Sequence, residues 1–568
     1  MIVLGIHDGK DAGVALVRDG RVEFAANEER YSRKKLHFGF PFLALEQMFE
    51  DTGVTPDQID AVTTGFQAMV EVPGAGYDYT ALPQLHQRMF SSVAKVAGPL
   101  MDTGIVAQCS LGLMRMMSRN KEELAKHVRE AGITAPIYHK NHHLSHAASA
   151  YYFCGHDEAL VVSSDGGGDG ISGGIYVGRA GRIQRAACFS KLNSAGIFWE
   201  IVTQICGFNP ERHGGKVTGL AAHADSEKGY SVLSRLFGYC EKSGGLLNRR
   251  HVAFRDAYKL VSKAVSGLDR AELAAGAQRI LDEVFVRTVR EAVAKHGIGN
   301  VALAGGTFGN VRTNLAVFEI PDVESIFVFP HMGDGGIALG SAVLHHAEND
   351  GWPTQQIENL FYGNEWSEQN IQAELAATDG ICYERLDDPA EAIAECLVNK
   401  QVVGLFHGRM EFGPRALCHR SIIAEPTDTS MMDWLNERLH RTEFMPFAPV
   451  ITEEDAPAYF EDYEQSRYPT RFMTMCLHCT PLCKQKAPGV VHLDGTARPQ
   501  VVSADTDPYI HKVLCHYREK AGLPLAINTS FNRHEEPIVE SPCDAIGEMK
   551  RIAVDVLFLE SYKVTLSA

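Results

Sequence analysis

Apolar and polar positions alternate in short blocks along the chain, and these blocks mark strands at two places. An apolar run from Ile2 to Ile6 reaches His7-Asp8-Gly9, Gly13-Val-Ala-Leu-Val17 follows, and Asp19-Gly20 turns into Arg21-Val-Glu-Phe-Ala25, a hairpin pattern. The same order recurs later: Ala159-Leu-Val-Val-Ser-Ser164 runs into Asp165-Gly166, Gly173-Gly-Ile-Tyr-Val177 follows, and Ala180-Gly181 turns into Arg182-Ile-Gln184. Strand, Asp-Gly turn, strand and hairpin in two copies predict a duplicated α/β domain with a cleft between its lobes. Glycines in such turns let backbone N–H groups approach phosphates, and the carboxylates position a metal or water. Two further glycine turns are Leu303-Ala-Gly305-Gly306-Thr307-Phe-Gly-Asn310 and Met332-Gly333-Asp334-Gly335-Gly336, the latter ahead of the helical Ala338 to Ala342. Residues 346–366 are polar and aperiodic around Gly351, Trp352 and Pro353, which predicts a domain boundary. Beyond it, strands are expected at Val402–Phe406 and Pro524–Ile527 and a helix at Met431–Leu439, in a separate α/β domain.

Length and composition narrow the class. A chain of 568 residues is too long for one core and suggests about two to four domains. A formal charge of −17 argues against a broad nucleic-acid footprint, which concentrates Lys and Arg, and leaves small anions held by local Arg clusters. The start, Met1-Ile-Val-Leu-Gly-Ile-His7, reads as a strand rather than a signal peptide, and the loosely apolar stretch 98–118 contains Asp102 and Arg115, so no membrane span is expected. Thirteen scattered cysteines fit free thiols in a reducing cytoplasm. The one cluster, Cys476-x-x-Cys479-x-x-x-Cys483 with His478, has zinc-like spacing, but Arg471 to Cys479 alternates like a strand and no second Cys-x-x-Cys follows, which favours structural thiols.

Two constellations carry chemistry. In His139-Lys-Asn-His142-His143-Leu-Ser-His146, His142 and His146 are four apart and leave one helix face, so both imidazoles can close on one ion. With 24 histidines that spacing arises by chance roughly once, so the pair gains weight only from Ser164-Asp165-Gly166-Gly167-Gly168-Asp169, which follows and offers a carboxylate. His139 and His143 are expected to face elsewhere. The second constellation is Gly408-Arg409-Met-Glu411-Phe-Gly413-Pro414-Arg415-Ala-Leu-Cys-His419-Arg420-Ser421. Pro414 suits a first helical turn, which would put Arg415 at a positive helix end, and Arg grips phosphate bidentately. Arg441, Arg498 and Asn528 to Asn532 add polar groups at strand or turn positions, with surface salt bridges as the plainer reading of each arginine alone.

In combination and order, these motifs resemble the NodU/CmcH/TobZ family of O-carbamoyltransferases over nearly the whole chain. The matching segments are Asn27 to Lys35, His142 to Ser149, Ser164-Asp165-Gly, Gly215-Lys216-Val-Thr-Gly219-Leu-Ala221, Gly333-Asp334-Gly-Gly, Gly408 to Ser421, Met445 to Pro449, Asp494 to Gln500, and Asn528 to Asn532 continuing to Ile538. The resemblance implies an actin/Hsp70-like (ASKHA, threonylcarbamoyl-transferase-like) duplicated domain over 1–355, fused to a C-terminal YrdC-like α/β domain over 366–568. It implies an ATP-dependent enzyme in which the second domain forms carbamoyl-adenylate from carbamoyl phosphate and ATP with Mg2+, and the first transfers the carbamoyl group to a hydroxyl of a small-molecule, natural-product type acceptor. His142, His146, Asp165 and Asp334 would hold a divalent metal, Fe2+ first, with Mn2+ or Zn2+ as alternatives. Lys35, Gly166, Gly305, Gly306 and Asn310 would line the adenylate pocket, and Arg409, Arg415, Arg420, Arg441, Arg498, Asn528 and Ser530 would bind carbamoyl phosphate and ATP. No nucleic-acid or membrane partner is implied, a homodimer stays open, and the cytoplasm is the expected compartment.

The chain departs from that family at three points. Relatives carry His-Asp where Lys10-Asp11 stands here, with His7-Asp8 just upstream, so His7 and Lys10 both remain candidates for the base beside Asp11. A neutral His is the easier base near pH 7, whereas a Lys must have its pKa lowered. Met445 stands where many relatives have a phosphate-binding Arg, a loss for which Arg441 could compensate, and Cys418 stands where glycine is common. A threonylcarbamoyl-type tRNA-modifying transferase and a non-catalytic nucleotide-binding regulator are the alternatives. The acceptor pocket or a subunit contact is sought in residues 66–120, rich in methionine (Met89, Met101, Met114, Met116, Met117), with core filling as the plainer reading.

Overall fold

The strand–turn–strand blocks form where the apolar runs put them. In the computed structural model of the chain, residues 1–67, 120–252, 254–439, 447–552 and 554–567 are described. Strand β1 (Ile2–His7) pairs in parallel with β4 (Ala61–Thr64), and β4 with β5 (Ile137–His139). Strands β2 (Gly13–Arg18) and β3 (Arg21–Asn27) form the expected hairpin, turning at Asp19 and Gly20, both at positive φ. The second copy has the same parts. β6 (Glu158–Gly168), β7 (Ile171–Arg179) and β8 (Arg182–Ser190) are antiparallel neighbours. After a short hairpin of β9 (Phe237–Tyr239) and β10 (Leu246–Asn248), β11 (Asn300–Ala304) runs parallel to both β6 and β12 (Ser325–Val328). The parallel strands read as continuous apolar runs because both their faces are covered, with Leu160, Val161, Val162, Ala302 and Leu303 at 0 % exposure. β6 is longer than its apolar run. It continues through Asp165 to Gly168 with a register shift after Ser164, so the Asp-Gly stretch is itself strand edge.

Met1–Ile6 and Ile59–Gln356 form one compact unit, His7–Gln58 and Ile357–Ala568 another. This differs from the expected division into 1–355 and 366–568, because the segment His7–Gln58 belongs with the C-terminal half. Its hydrogen bonds explain the grouping: Ala25 N donates to Tyr362 O at 3.1 Å, and Arg33 Nη1 to Ile538 O at 2.6 Å. Helices α1 (Glu28–Ser32) and α2 (Phe42–Thr52) lie in this segment.

In the first unit, α3 (His142–Tyr151) buries nine of its ten residues. Helix α4 (Arg270–His296) begins at a capping box of Asp269 and Glu272 and stops at Gly297, φ 67°. Helices α5 (Val311–Phe318) and α6 (Ile337–Asp350) follow the two later glycine turns. In the second unit an eight-stranded sheet has the order β13-β22-β21-β14-β15-β20-β16-β19, where β13 is Ile381–Arg385, β14 Val403–Phe406, β15 Arg420–Ala424, β16 Ala448–Thr452, β19 Gln500–Val502, β20 Leu525–Ser530, β21 Val556–Leu559 and β22 Tyr562–Leu566. It is mixed: β14 runs parallel to β21 and β16 to β19, and the other pairs are antiparallel. Helices α7 (Pro389–Val398), α8 (Pro508–Ala521) and α9 (Pro542–Ile552) accompany it, α7 and α8 each with Asp as N-cap and Pro in the first turn. The strand expected over Arg471–Cys479 shrinks to β17 (Leu477–His478), paired with β18 (Thr496–Ala497). Met473 sits at φ 55°, and Phe472, Met473, Met475 and Cys476 are all buried, so no strand face alternates there. No described helix is long and apolar enough to cross a membrane.

Candidate active sites: a histidine–aspartate cluster and an arginine pair

Helix α3 starts at Asn141, whose side chain accepts from Leu144 N at 3.1 Å, and one turn separates His142 from His146. Asp165 comes from the end of β6, and Asp334 from the turn leading into α6. His142 Nε2 lies 2.6 Å from Asp165 Oδ2 and 3.8 Å from Asp334 Oδ1; His146 Nε2 lies 3.3 and 3.5 Å from the same atoms. One ligand atom from each of the four residues lies within 4.8 Å of all the others. The two histidines are 1 % exposed and Asp165 is 6 %. Burial favours the neutral form of each carboxyl, yet the imidazoles outweigh it: Asp165 is held well below the carboxylate range and Asp334 at about 2. Burial likewise opposes charge on His142, but the charge and hydrogen bond of Asp165, with Asp334 and Asp169 behind, push it up to about 9. His146 Nε2, between two carboxylates, makes no hydrogen bond, and neither does Asp165 Oδ1. A divalent cation fits this set: it would replace the His142 proton and use the lone pair that His146 Nε2 leaves unpartnered.

An outer layer fixes these ligands. Asp169, in the left-handed region at φ 50°, accepts from His142 N at 2.8 Å, Asn141 Nδ2 at 3.1 Å and Gln67 N at 3.0 Å. His143 does not face elsewhere as expected. Its ring lies 4.8 Å from that of His142, and Nε2 donates to Ile171 O at 3.1 Å while Nδ1 accepts from Ser163 Oγ at 3.0 Å. Burial pulls His143 down to about 3, so it is a neutral brace beside Asp165. Gly168 is required because a Cβ there would lie 2.3 Å from the His142 ring, and Gly305, at φ 97°, because a Cβ would lie 2.2 Å from Ser164 O. Gly306 has open space where a Cβ would be, and Gly166 only the Glu200 side chain at 3.6 Å, so both leave backbone approachable. Asn310 is engaged within the protein: it caps α5 through Arg312 N and Thr313 N and donates to Gln278 Oε1 at 2.9 Å.

The remaining expected residues fall in the other unit. His7 is fully buried, with Nε2 2.8 Å from Lys10 O, so Nε2 carries the hydrogen and Nδ1 the lone pair. Asn27 Nδ2 donates to Asp11 O at 3.1 Å, and Lys35 pairs with Glu29 at 3.0 Å. Arg415 lies within electrostatic reach of Arg498. The Arg498 charge, then burial, lowers Arg415 to about 9, and burial lowers Arg498 too. Neither Nε has a hydrogen-bond partner, and among the described residues no carboxylate pairs with either guanidinium. Two like charges pressed together in a low-dielectric site invite an anion between them.

The Gly408–Ser421 loop is tied from inside. Glu411 Oε1 accepts from Leu417 N at 2.8 Å, His419 N at 2.9 Å and Arg420 N at 3.0 Å. Asn528 Nδ2 donates to Ala416 O at 3.1 Å and to Gln500 Oε1 at 2.6 Å, which links the loop to the strand after Arg498. Ser530 lies opposite Ser421 in the β15–β20 register. Arg409 does not join the pair: it donates to the carbonyls of Gly363, Tyr362 and Glu23 at 2.8 to 3.0 Å. Arg420 is fully buried with its guanidinium 3.6 Å from the Phe406 ring centroid and Nη1 on His407 O at 2.8 Å. Arg441 and the methionines at 89, 101, 114, 116 and 117 lie outside the described residues. Sequence reasoning assigned no role to Glu411, Asp169, His143 or Gln500; the one available signal was a carboxylate inside an arginine-rich loop and a second Asp closing a glycine turn.

Comparison with known proteins agrees with the order of the motifs. Residues 2–343 match the family model described as Carbamoyltransferase N-terminus and residues 394–565 that described as Carbamoyltransferase C-terminus. The chain is 30 % identical to nodulation protein NolNO of Sinorhizobium fredii over 98 % of its own length and 79 % of that protein. It is 28 % identical to an uncharacterized protein of Methanocaldococcus jannaschii over 99 % of each. Among solved structures, full-length HypF in its phosphate- and nucleotide-bound form is similar at 13 % identity, with a TM-score of 0.31, over 62 % of this chain and 47 % of that one, a likeness too loose to bear on function.

Proposed function

The chain belongs to the carbamoyltransferase family, and we propose that it is an ATP-dependent O-carbamoyltransferase with two reaction centres. In this reading an actin/Hsp70-like unit, supported by the repeated strand–hairpin–parallel-strand pattern, performs transfer. A YrdC-like unit built on the eight-stranded sheet forms carbamoyl-adenylate from carbamoyl phosphate and Mg-ATP. The observation that carries it is the pairing, in one chain of this family, of a four-ligand His/Asp cluster with two arginines that no carboxylate pairs with among the described residues.

At the arginine pair, Arg415 and Arg498 hold the phosphate of carbamoyl phosphate, and Asn528, through Gln500 and Ala416, keeps the loop at its distance from β19. Water cleaves carbamoyl phosphate to carbamate and inorganic phosphate, a carbamate oxygen attacks the α-phosphorus of ATP, and pyrophosphate leaves as carbamoyl-adenylate forms. At the other centre, His142, His146, Asp165 and Asp334 would hold the metal, with Fe2+ the first choice and Mn2+ or Zn2+ alternatives for an imidazole–carboxylate set. When bound, such an ion supplies Lewis-acid polarisation of a carbonyl or phosphate oxygen. The backbone at Gly166 and Gly306 lies close to the adenylate. The acceptor hydroxyl attacks the carbamoyl carbon, its proton passes to a base, and AMP departs. The acceptor is a small-molecule alcohol.

Incubation of the purified enzyme with Mg-ATP and carbamoyl phosphate, followed by pyrophosphate assay and mass spectrometry of the nucleotide, tests the reading. Pyrophosphate release that requires carbamoyl phosphate is the expected result. ATP turnover indifferent to carbamoyl phosphate would refute it.

A further inference from the structure

The segment Asn27–Lys35 lies early in the sequence but folds into the second unit, and its charged groups other than Lys34 each have a specific use there. Glu28 accepts from Leu43 N and Ala44 N at 3.2 and 2.7 Å and so caps α2. Glu29 binds Lys35 at 3.0 Å and Leu36 N at 2.6 Å. Arg33, at φ 57°, reaches the carbonyls of Pro537 and Ile538 at 3.0 and 2.6 Å and Asp544 at 3.4 Å. Tyr31 donates to Asn364 Oδ1 at 3.1 Å. These contacts lock α1 against the second half of the chain and leave Arg30, 2 % exposed, pointing one way.

Arg30 Nη2 donates to Gly413 O at 2.8 Å. Burial lowers the pKa of Arg30, against the charges of Glu29 and Glu411, and its Nη1 has no hydrogen-bond partner. Burying a guanidinium is costly unless the geometry returns something. Gly413 sits at φ 123°, a conformation open to glycine, and its carbonyl belongs to the peptide that carries Pro414, the residue before Arg415. On the far side of Arg415, Glu411 Oε1 gathers the amides of Leu417, His419 and Arg420. The loop is therefore held on both flanks of Arg415, by Arg30 before it and Glu411 after it. If Gly413 O were released, the Gly413–Pro414 peptide could rotate and swing Arg415 away from Arg498.

We infer that Arg30 is a positioning residue for the Arg415–Arg498 anion site, supplied by a segment far from it in sequence. The inference rests on the reading of that pair as the phosphate site given above. Arg30 touches no substrate; it acts through the Gly413 carbonyl on the direction of Arg415. The consequence is that residues 366–568 alone do not contain everything the adenylate-forming site requires.

Calorimetric titration of inorganic phosphate into the full-length enzyme tests it. Wild type is compared with Arg415→Met, Arg30→Met and Arg30→Lys, with melting curves for each. We expect Arg30→Met to weaken phosphate roughly tenfold and Arg30→Lys, which can still donate to one carbonyl, to recover most of the loss at equal fold stability. A purely structural role would lower melting temperature and spare the affinity of the folded fraction. Phosphate affinity of Arg30→Met within about twofold of wild type, or an equal loss in Arg30→Lys and Arg30→Met, overturns the inference. Arg30→Gln serves under the same thresholds if Arg30→Met does not fold. If Arg415→Met leaves phosphate binding untouched, the anion-site reading falls; if Arg415→Met abolishes binding and Arg30→Met does not weaken it, only the positioning role falls.

Discussion

In the His142/His146/Asp165/Asp334 cluster the Nε2 atom of each imidazole has carboxylate oxygens 2.6 to 3.8 Å away, whereas among the described residues no carboxylate pairs with Arg415 or Arg498. The first site carries a partial stand-in for a cation, the proton on His142, which offsets one of its two carboxylate charges. The second is left with like charges that only an anion can relieve, so its geometry must come from bracing by neighbours. That contrast teaches that a cation site draws opposite charges from its own ligands, with an outer layer such as Asp169 aiming them, while an anion site built from arginines depends on the groups that keep them from turning away.

The largest expected effect is a crossover. His142→Ala and His146→Ala should lose bound metal and carbamoyl transfer while carbamoyl-phosphate-dependent pyrophosphate release stays near wild type. Arg415→Met should keep full metal content and lose roughly ten- to hundredfold in pyrophosphate release, the worth of a charge-assisted contact of about 1.5–3 kcal/mol. Metal analysis and pyrophosphate assay on the same samples check both, and loss of both properties in any one variant would mean that the centres are not independent. Next, Asp169→Ala should cut metal affinity about ten- to hundredfold with all four ligands in place, because it frees the His142 amide and Asn141. Competition with a chelator measures it, and unchanged affinity would leave Asp169 as a helix cap only.

The proton on His142 also predicts the pH behaviour of the first site. His142 stands at about 9, above the ordinary value near 6.5, so in the metal-free protein its contribution to stability is full below ~6.5 and fades as the pH rises to 9. An ion must displace that proton, so metal affinity should rise about tenfold per pH unit over the same window and level off above it. Titration of Zn2+ into stripped protein at about pH 7, 8 and 9.5, in buffers of different ionisation heat, should show one proton released at the lower values. Affinity independent of pH would mean that His142 is already neutral.

What the sequence made legible follows from how each group is held. His142 and His146 show through helical spacing, Asp165 and Asp334 through glycine turns, and the repeated strands through their apolar runs. Arg415 and Arg498 look no different in sequence from Arg409 and Arg420, since a carbonyl 46 or 386 residues away that ties up Arg409 leaves no mark in the local pattern. Glu411 and Asp169 escape for a related reason: they accept from backbone amides, which every residue but proline offers. The grouping of His7–Gln58 with the C-terminal half is hidden likewise, because side chain to backbone bonds such as Arg33 to Ile538 have no complementary residue type to betray them.

The smallest prediction probes how well the arginine loop is braced. Cys418 is fully buried at φ 74°, a left-handed conformation that costs a residue with a side chain roughly 1–2 kcal/mol. Burial holds the Cys418 thiol well above its ordinary pKa, so it stays protonated and donates to Gln500 Oε1 at 3.4 Å. Cys418→Gly removes the strain and that weak bond together, so the two changes should cancel to within about 1 kcal/mol. Cys418→Ala loses the bond and keeps the strain, so it should be less stable than Cys418→Gly by about 1 kcal/mol, read from denaturant midpoints at equal slope. Phosphate affinity should barely move in either variant, because Glu411 and Arg30 hold the loop on both sides of Arg415. A large loss of phosphate affinity in Cys418→Gly would place the bracing in the Cys418–Gln500 link instead, and the reverse order of stability would mean that side-chain packing at Cys418 outweighs backbone strain.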